Sequence, residues 1–94
     1  MKSEDSSLDD EIARVSIGIE LIMTQIREDA DTLAFLRKKI LESLNNDPEY
    51  ARKEVFSEQI KTETQLINDF LDKMKQLTEL RARYSELKKE QMSK

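Results

Sequence analysis

Asp29 and Glu63 are the residues of this sequence whose types and spacing come nearest to a chemical site. Paired carboxylates can act as general acid and base, or can bind a cation. Two unit charges about 5 Å apart at an effective dielectric constant near 20 repel by about 3 kcal/mol. A dry pair therefore needs a shared proton, a cation or a basic partner. One hypothesis is a polar layer that sets helix register; the alternative is a hydrated pair bending toward Arg27 and Lys61.

Other catalytic groups are scarce. The 94 residues contain no histidine and no cysteine, which excludes the common zinc sites, imidazole bases and thiol nucleophiles. A single glycine cannot build a phosphate-binding loop. The sequence therefore predicts a protein that is not an enzyme, with no catalytic residue, no cofactor, no metal and no small-molecule substrate.

The composition indicates one small domain made of long helices. Apolar residues make up 37% and charged residues 38%, with one glycine and one proline. The alternative, a disordered chain, fits less well because the apolar residues are regularly spaced. A net charge of -4 gives no electrostatic basis for binding nucleic acid. No signal peptide and no transmembrane run is recognisable, so we expect a cytoplasmic protein, with a nuclear one as the alternative, and no membrane contact.

An unbroken 3–4 spacing predicts a first helix over residues 8–45, after a flexible acidic segment at 1–6. Ser7 is its expected cap, and Gly18 costs only about 1 kcal/mol in so long a helix. The predicted seam, meaning the stripe that packs against another helix, is Leu8, Ile12, Val15, Ile19, Ile22, Ile26, Asp29, Leu33, Leu36, Ile40 and Ser43.

A turn is predicted at residues 45–48, followed by a second helix over residues 48–91 and a frayed end at 93–94. Asp47 is a favourable N-cap, and Pro48 loses no needed hydrogen bond at the first helical position. The second seam continues the same period: Phe56, Ile60, Glu63, Ile67, Phe70, Met74, Leu77, Arg81, Tyr84, Lys88 and Gln91.

Two long helices joined by a short turn predict an all-α antiparallel hairpin over residues 7–92. A turn centred near residues 46–47 would bring Leu33 opposite Ile60 and Val15 opposite Leu77. The same register brings Asp29 opposite Glu63. An elongated parallel dimer could use the same two seams.

Apolar residues outside the seams predict a further helical layer. The expected partner-binding residues are Ile17, Gly18, Leu21, Met23, Phe35, Leu66, Leu80 and Leu87. The leading hypothesis is a structural or adaptor subunit, either a homodimer forming a four-helix bundle or part of a complex with different helical subunits. The alternative is a small chaperone or escort protein that shields a client helix, for example in secretion or cytoskeletal assembly.

Overall fold

The computed structural model describes residues 2–93, with side chains described from residue 7 onward. Helix α1 spans Lys2–Asn46, a 3₁₀ segment spans Pro48–Arg52, and helix α2 spans Glu54–Met92. No strand occurs among the described residues, so the chain is the predicted all-α helical hairpin. Helix α1 starts well before residue 8, and Ser7 lies inside it instead of capping it. The remaining parts of the predicted flexible and frayed ends, residues 1 and 94, lie outside the described residues.

Helix α1 buries the stripe that its spacing predicts. All eleven seam positions from Leu8 to Ser43 are buried or half-buried. The helix passes through Gly18 without interruption. The hydroxyl groups of Thr24 and Thr32, which are exposed, each donate a hydrogen bond at 3.0 Å to the backbone carbonyl four residues earlier. Local polar groups are thereby satisfied within the helix, and its orientation is left to the apolar seam.

The connection between the helices is longer than predicted. Asp47 caps it as expected, because its Oδ1 accepts the N–H of Glu49 at 3.0 Å. The residues after Pro48 form a 3₁₀ segment, however, and not the first turn of α2. Lys53 is extended (φ -82°, ψ 150°) and donates its N–H to the Tyr50 carbonyl at 3.0 Å. Helix α2 therefore begins at Glu54, which corrects the predicted start at residue 48.

The seam of α2 differs from the predicted one at three positions. Phe56, Glu63, Phe70, Leu77, Tyr84 and Gln91 are buried or half-buried as predicted. The alternating contributions come from Gln59, Leu66, Lys73, Leu80 and Leu87, one residue before the predicted set. Ile60, Met74 and Arg81 are instead exposed, whereas Ile67 and Lys88 are half-buried as predicted. The observed seam takes Leu80 in place of Arg81, but it also takes Lys73 in place of Met74. Lys73 is half-buried and has an interaction of its own.

The chain divides into two compact units. The terminal unit combines Met1–Gln25 with Lys73–Lys94, and the turn unit is Ile26–Asp72. In each unit a portion of α1 packs against a portion of α2.

The register within both units is shifted from the predicted one. In the turn unit Arg37 pairs with Glu63, where the predicted register places residues 55–56. In the terminal unit Gly18 lies beside Leu80, whereas the predicted register places residues 74–75 opposite Gly18. Facing residues thus lie one and a half to two helical turns further along α2, because the 3₁₀ segment lengthens the connection.

Candidate interaction surfaces

An open apolar groove lies in the turn unit between the end of α1 and the start of α2. It encloses about 310 Å³. Its apolar lining consists of Ile40, Leu41, Leu44, Phe56 and Ile60. Ile40 is buried and Leu44 and Phe56 are half-buried, whereas Leu41 is 60% exposed and Ile60 is also exposed. The groove therefore has a packed floor and an apolar rim that faces water.

An ion pair borders this groove. The Nε of Arg37 donates a hydrogen bond to Oε2 of Glu63 at 3.3 Å. The Glu63 side chain is only 20% exposed, and Arg37 supplies the positive charge that a half-buried carboxylate needs. This geometry corrects the predicted facing of Asp29 and Glu63, because Arg37 lies about two helical turns beyond Asp29 on α1. Asp29, also half-buried, has an electrostatic or hydrogen-bonding interaction of its own.

The turn end of the groove is held by polar and aromatic contacts. The Tyr50 hydroxyl donates to Oε1 of Gln59 at 2.7 Å. Its ring meets the ring of Phe56 edge-on, with centroids 6.0 Å apart. These two contacts tie the 3₁₀ segment to the first turns of α2. They fix the position of Phe56, which lines the groove.

A surface ion pair closes the connection itself. Lys53 Nζ lies 2.7 Å from Oδ2 of Asp47. The hydrogen bond from Lys53, followed by the one from the Glu49 N–H, lowers the pKa of the Asp47 carboxyl below its ordinary value of 3.8. The same contact raises the pKa of Lys53. Both groups are therefore charged at neutral pH, and the pair holds the two ends of the connection together.

The terminal unit is bordered by polar pairs and has a better buried seam. Leu8, Leu77 and Leu87 are buried, and Leu87 is only 1% exposed. Arg83 donates to Oε1 of Glu11, and this contact is the main reason that the pKa of Arg83 is raised. Nε2 of Gln91 donates to Oδ1 of Asp9 at 2.8 Å. Polar contacts between the helices thus lie outside a compact leucine layer.

Four of the predicted partner-binding residues are at the surface. Ile17, Leu21 and Met23 are exposed in the terminal unit, and Phe35 is 62% exposed in the turn unit. Lys39 Nζ lies 5.1 Å from the centroid of the Phe35 ring, which covers that ring in part.

The other four predicted residues contribute to the hairpin itself. Leu87 is buried, and Gly18, Leu66 and Leu80 are half-buried. A Cβ added to Gly18 would lie 3.5 Å from Cδ1 of Leu80, an ordinary van der Waals distance. The three leucines were predicted on the surface because the α2 seam was assigned one residue too late. Gly18 belongs to α1 and was predicted to admit another helix; the neighbour found beside it is Leu80 of α2.

The rim of the groove was missed as a candidate site. Leu41 lies off the predicted seam but was not selected, and Ile60 was assigned to the interior. The sequence did contain a signal for this rim. Helix α2 has two apolar stripes, one that includes Ile60 and one that includes Leu66, and only one of them can face α1.

Other kinds of site are not indicated in the part of the chain that the structure describes. Within residues 2–93 there is no group of three acidic, histidine or cysteine residues arranged to hold a metal ion. Neither described helix contains a stretch apolar and long enough to cross a bilayer.

Comparison with known proteins adds no assignment: no family model matches the chain, and no curated protein or solved structure is significantly similar to it.

Proposed function

We propose that this protein is a helical interaction module, a structural or adaptor subunit of a larger helical assembly. The observation that carries the proposal is the apolar rim of the turn-unit groove, formed by exposed Leu41 and Ile60 beside the buried Ile40. Grooves between two helices characteristically receive apolar side chains of a further helix. The proposed partner is accordingly a protein, and the proposal involves neither a substrate nor a cofactor.

The exposed apolar side chains support the same proposal. Within the described residues, those on the two helices that are more than half exposed include Ile17, Leu21, Met23, Phe35, Leu41 and Leu71. Two packed helices bury only one stripe each, and a second helical layer would cover side chains of this kind.

Site-specific photo-crosslinking in the native cells tests the proposal. Benzoylphenylalanine would replace Leu41, Phe35 or Ile17 in separate variants, and Glu58, a charged exposed residue, in a control. We expect a discrete crosslinked product from Leu41 and none from Glu58. Full-length, folded variants that give no crosslinked product at any of the three apolar positions would contradict the proposal.

A second candidate function is that of a small chaperone or escort protein for a client helix. Its basis is a separate surface: Ile17 and Leu21 lie one turn apart on α1 in the terminal unit and are both exposed. The double variant Ile17→Asp/Leu21→Asp should lose the client while circular dichroism shows unchanged helix content. Loss of helix content would instead assign both residues to the folded core and end this candidate.

The proposed place of action is the cytoplasm, with the nucleus as the alternative. Fluorescence imaging of the tagged chain in native cells tests this expectation. A signal confined to a membrane-bounded compartment of the secretory route would contradict it.

A further inference from the structure

We infer that the groove receives a second copy of this chain, with the turn units of the two copies packed face to face and both turns at the same end. This inference rests on the proposed function and names its partner. The result would be a four-helix bundle in which each α1 contacts its own α2 and the α2 of the second copy. Three features of the turn unit support it.

The first feature is that the two sides of the turn unit differ in composition. On the groove side, the 3–4 spacing that includes Leu41 and Leu44 continues along α1 to Ala34 and Ala30. The spacing that includes Ile60 continues along α2 to Thr64, Ile67 and Leu71. Charged residues on that side are few: the Arg37 and Glu63 pair at the groove border and Arg27 at the far end. Small and apolar residues at these positions permit close packing of further helices.

The opposite side of the turn unit is acidic. At the equivalent positions α1 carries Glu28 and Glu42, while α2 carries a series of polar and acidic residues: Glu58, Thr62, Gln65, Asp69 and Asp72. Its large exposed apolar residues are Phe35, against which Lys39 lies, and Val55 at the start of α2. Because desolvating five carboxylates is costly, only the groove side is suited to face another hydrophobic surface.

The second feature is that the groove side is complementary in charge to itself in one orientation. When both turns lie at the same end, α1 of one copy runs antiparallel to α2 of the other in the register that it keeps with its own α2. Arg37 of each copy then lies level with Glu63 of both copies. The two arginines and two glutamates alternate around a neutral layer, so no like charges meet directly.

The opposite orientation is less favourable. It would pair the apolar groove side with the same helix positions further from the turn. There the spacing on α1 and α2 passes through two methionines and one alanine but otherwise through polar and charged residues: Met23, Glu20, Ser16, Ala13 and Asp9 on α1, and Met74, Thr78, Arg81 and Ser85 on α2. Polar and charged side chains would then be desolvated against leucine and isoleucine. This difference selects the arrangement with both turns at one end.

The third feature is the exposed rim of the groove, where Leu41 is 60% exposed and Ile60 is 38% exposed. Leu41 is the most exposed apolar residue of the groove, and it follows the buried Ile40 along α1. Two copies related by a two-fold axis can each insert Leu41 into the groove of the other, as an isologous interface requires.

Sedimentation equilibrium of two matched variants tests the surface. Leu41→Asp and Phe35→Asp each place a carboxylate at a similarly exposed α1 position of the turn unit, on opposite sides. We expect the wild type and Phe35→Asp to be dimers with dissociation constants within about threefold of each other. Leu41→Asp should weaken dimerisation at least 100-fold. A monomeric wild type, or equal dimerisation of the two variants, would overturn the inference.

Pulsed electron–electron double resonance between two spin labels tests the orientation. This measurement does not depend on the folding of any interface variant. Since the chain has no native cysteine, Glu49→Cys attaches one spin label per copy at the exposed connection. Helices packed 8–10 Å apart with both turns at one end give a label separation below about 35 Å. The opposite orientation gives a separation near the length of α2, about 58 Å for 39 residues. That longer distance would overturn the inference.

The two proposals fail in different ways. A chain that is monomeric in solution but crosslinks through position 41 to a different protein overturns the second-copy inference and leaves the interaction module standing. A monomer that also gives no crosslinked product in cells overturns both. A crosslinked product with the mass of two copies supports both.

Discussion

The terminal unit and the turn unit are built from the same two helices but use their apolar residues differently. Of the four apolar residues that are buried within the described residues, three lie in the terminal unit: Leu8, Leu77 and Leu87. The turn unit contributes Ile40 alone and leaves Leu41 and Ile60 at a groove open to water. The terminal unit also has interhelical polar contacts outside its leucine layer, from Glu11 and Asp9.

This difference separates the parts of the chain that hold the hairpin together from the part available for association. A unit that turns its leucines inward gains stability from burial within one chain. A unit that leaves comparable side chains on a rim gains that free energy only when another surface covers them. Substitutions in the terminal unit should accordingly affect mainly the stability of the hairpin. Substitutions in the turn unit should affect mainly its association with other molecules.

The largest expected effect breaks the buried layer of the terminal unit. Leu87→Ala should lower the free energy of unfolding by about 2–5 kcal/mol, because it removes an enclosed side chain and leaves a cavity. Ile40→Ala in the turn unit should cost less, since the space it vacates lies beside an open groove and fills with water. Urea denaturation of both changes in the Leu41→Asp background, which keeps the groove open to water, measures the difference. An equal or larger loss for Ile40→Ala in that background would contradict the division between the units.

The next effect concerns Gly18 in the terminal unit. Gly18→Ala should raise the free energy of unfolding by about 0.5–1 kcal/mol, because alanine favours the helix and its Cβ fits beside Leu80. The matched control is Ala13→Gly, an exposed position on the same helix, which should lower the free energy by a similar amount. A loss of stability in Gly18→Ala would mean that α2 lies closer to α1 than the Leu80 contact indicates.

A smaller effect is expected from the ion pair at the groove. A double-mutant cycle with Arg37→Ala and Glu63→Ala should give a coupling of about 0.2–1 kcal/mol, because Arg37 is largely exposed. The coupling should fall at 1 M NaCl, where the screening length is about 3 Å. The Glu11 and Arg83 pair of the terminal unit, with both side chains more open to water than Glu63, should couple less. Stronger coupling in the terminal pair would reverse the comparison.

The smallest effect is the pH dependence of the connection. The pKa of Asp47 is lowered in the folded chain, so its contribution is complete above the ordinary value of 3.8 and is lost as the pH falls through the lower folded value. Asp47→Asn keeps a capping oxygen but has no charge to pair with Lys53. Its melting temperature should lie below that of the wild type at pH 7, and the two should converge in acid. A constant difference from pH 7 to pH 2 would contradict this origin.

The predicted hairpin was most accurate where the sequence offers a single repeat. Helix α1 has one continuous 3–4 stripe, and all eleven of its positions are buried or half-buried. Helix α2 offers two stripes that share every seventh residue. Burial of Leu80 and Leu87 instead of Arg81 decides between them, but it depends on which face α2 turns toward α1. That orientation is set by the conformation of the connection, which spacing alone does not specify.

The candidate site was predicted only in part for the same reason. Ile17, Leu21, Met23 and Phe35 are on the surface as expected, because their positions were judged against the correct α1 seam. Leu66, Leu80 and Leu87 were judged against a displaced α2 seam and were placed outside the hairpin. Glu63 was assigned to face a carboxylate and meets Arg37, because the register moved with the start of α2.

The connection reverses the chain without a left-handed residue, since no described residue has a positive φ. Most side chains are therefore acceptable in it, whereas its length is constrained. One residue inserted near the start of α2 would rotate the rest of that helix by about 100° and turn Leu87 toward water. The connection is hydrogen-bonded at both ends, so it cannot rearrange to compensate for that rotation. Over evolutionary time, α2 should accumulate substitutions freely at its exposed positions but gain or lose residues in sevens, the step that restores every side chain to its face.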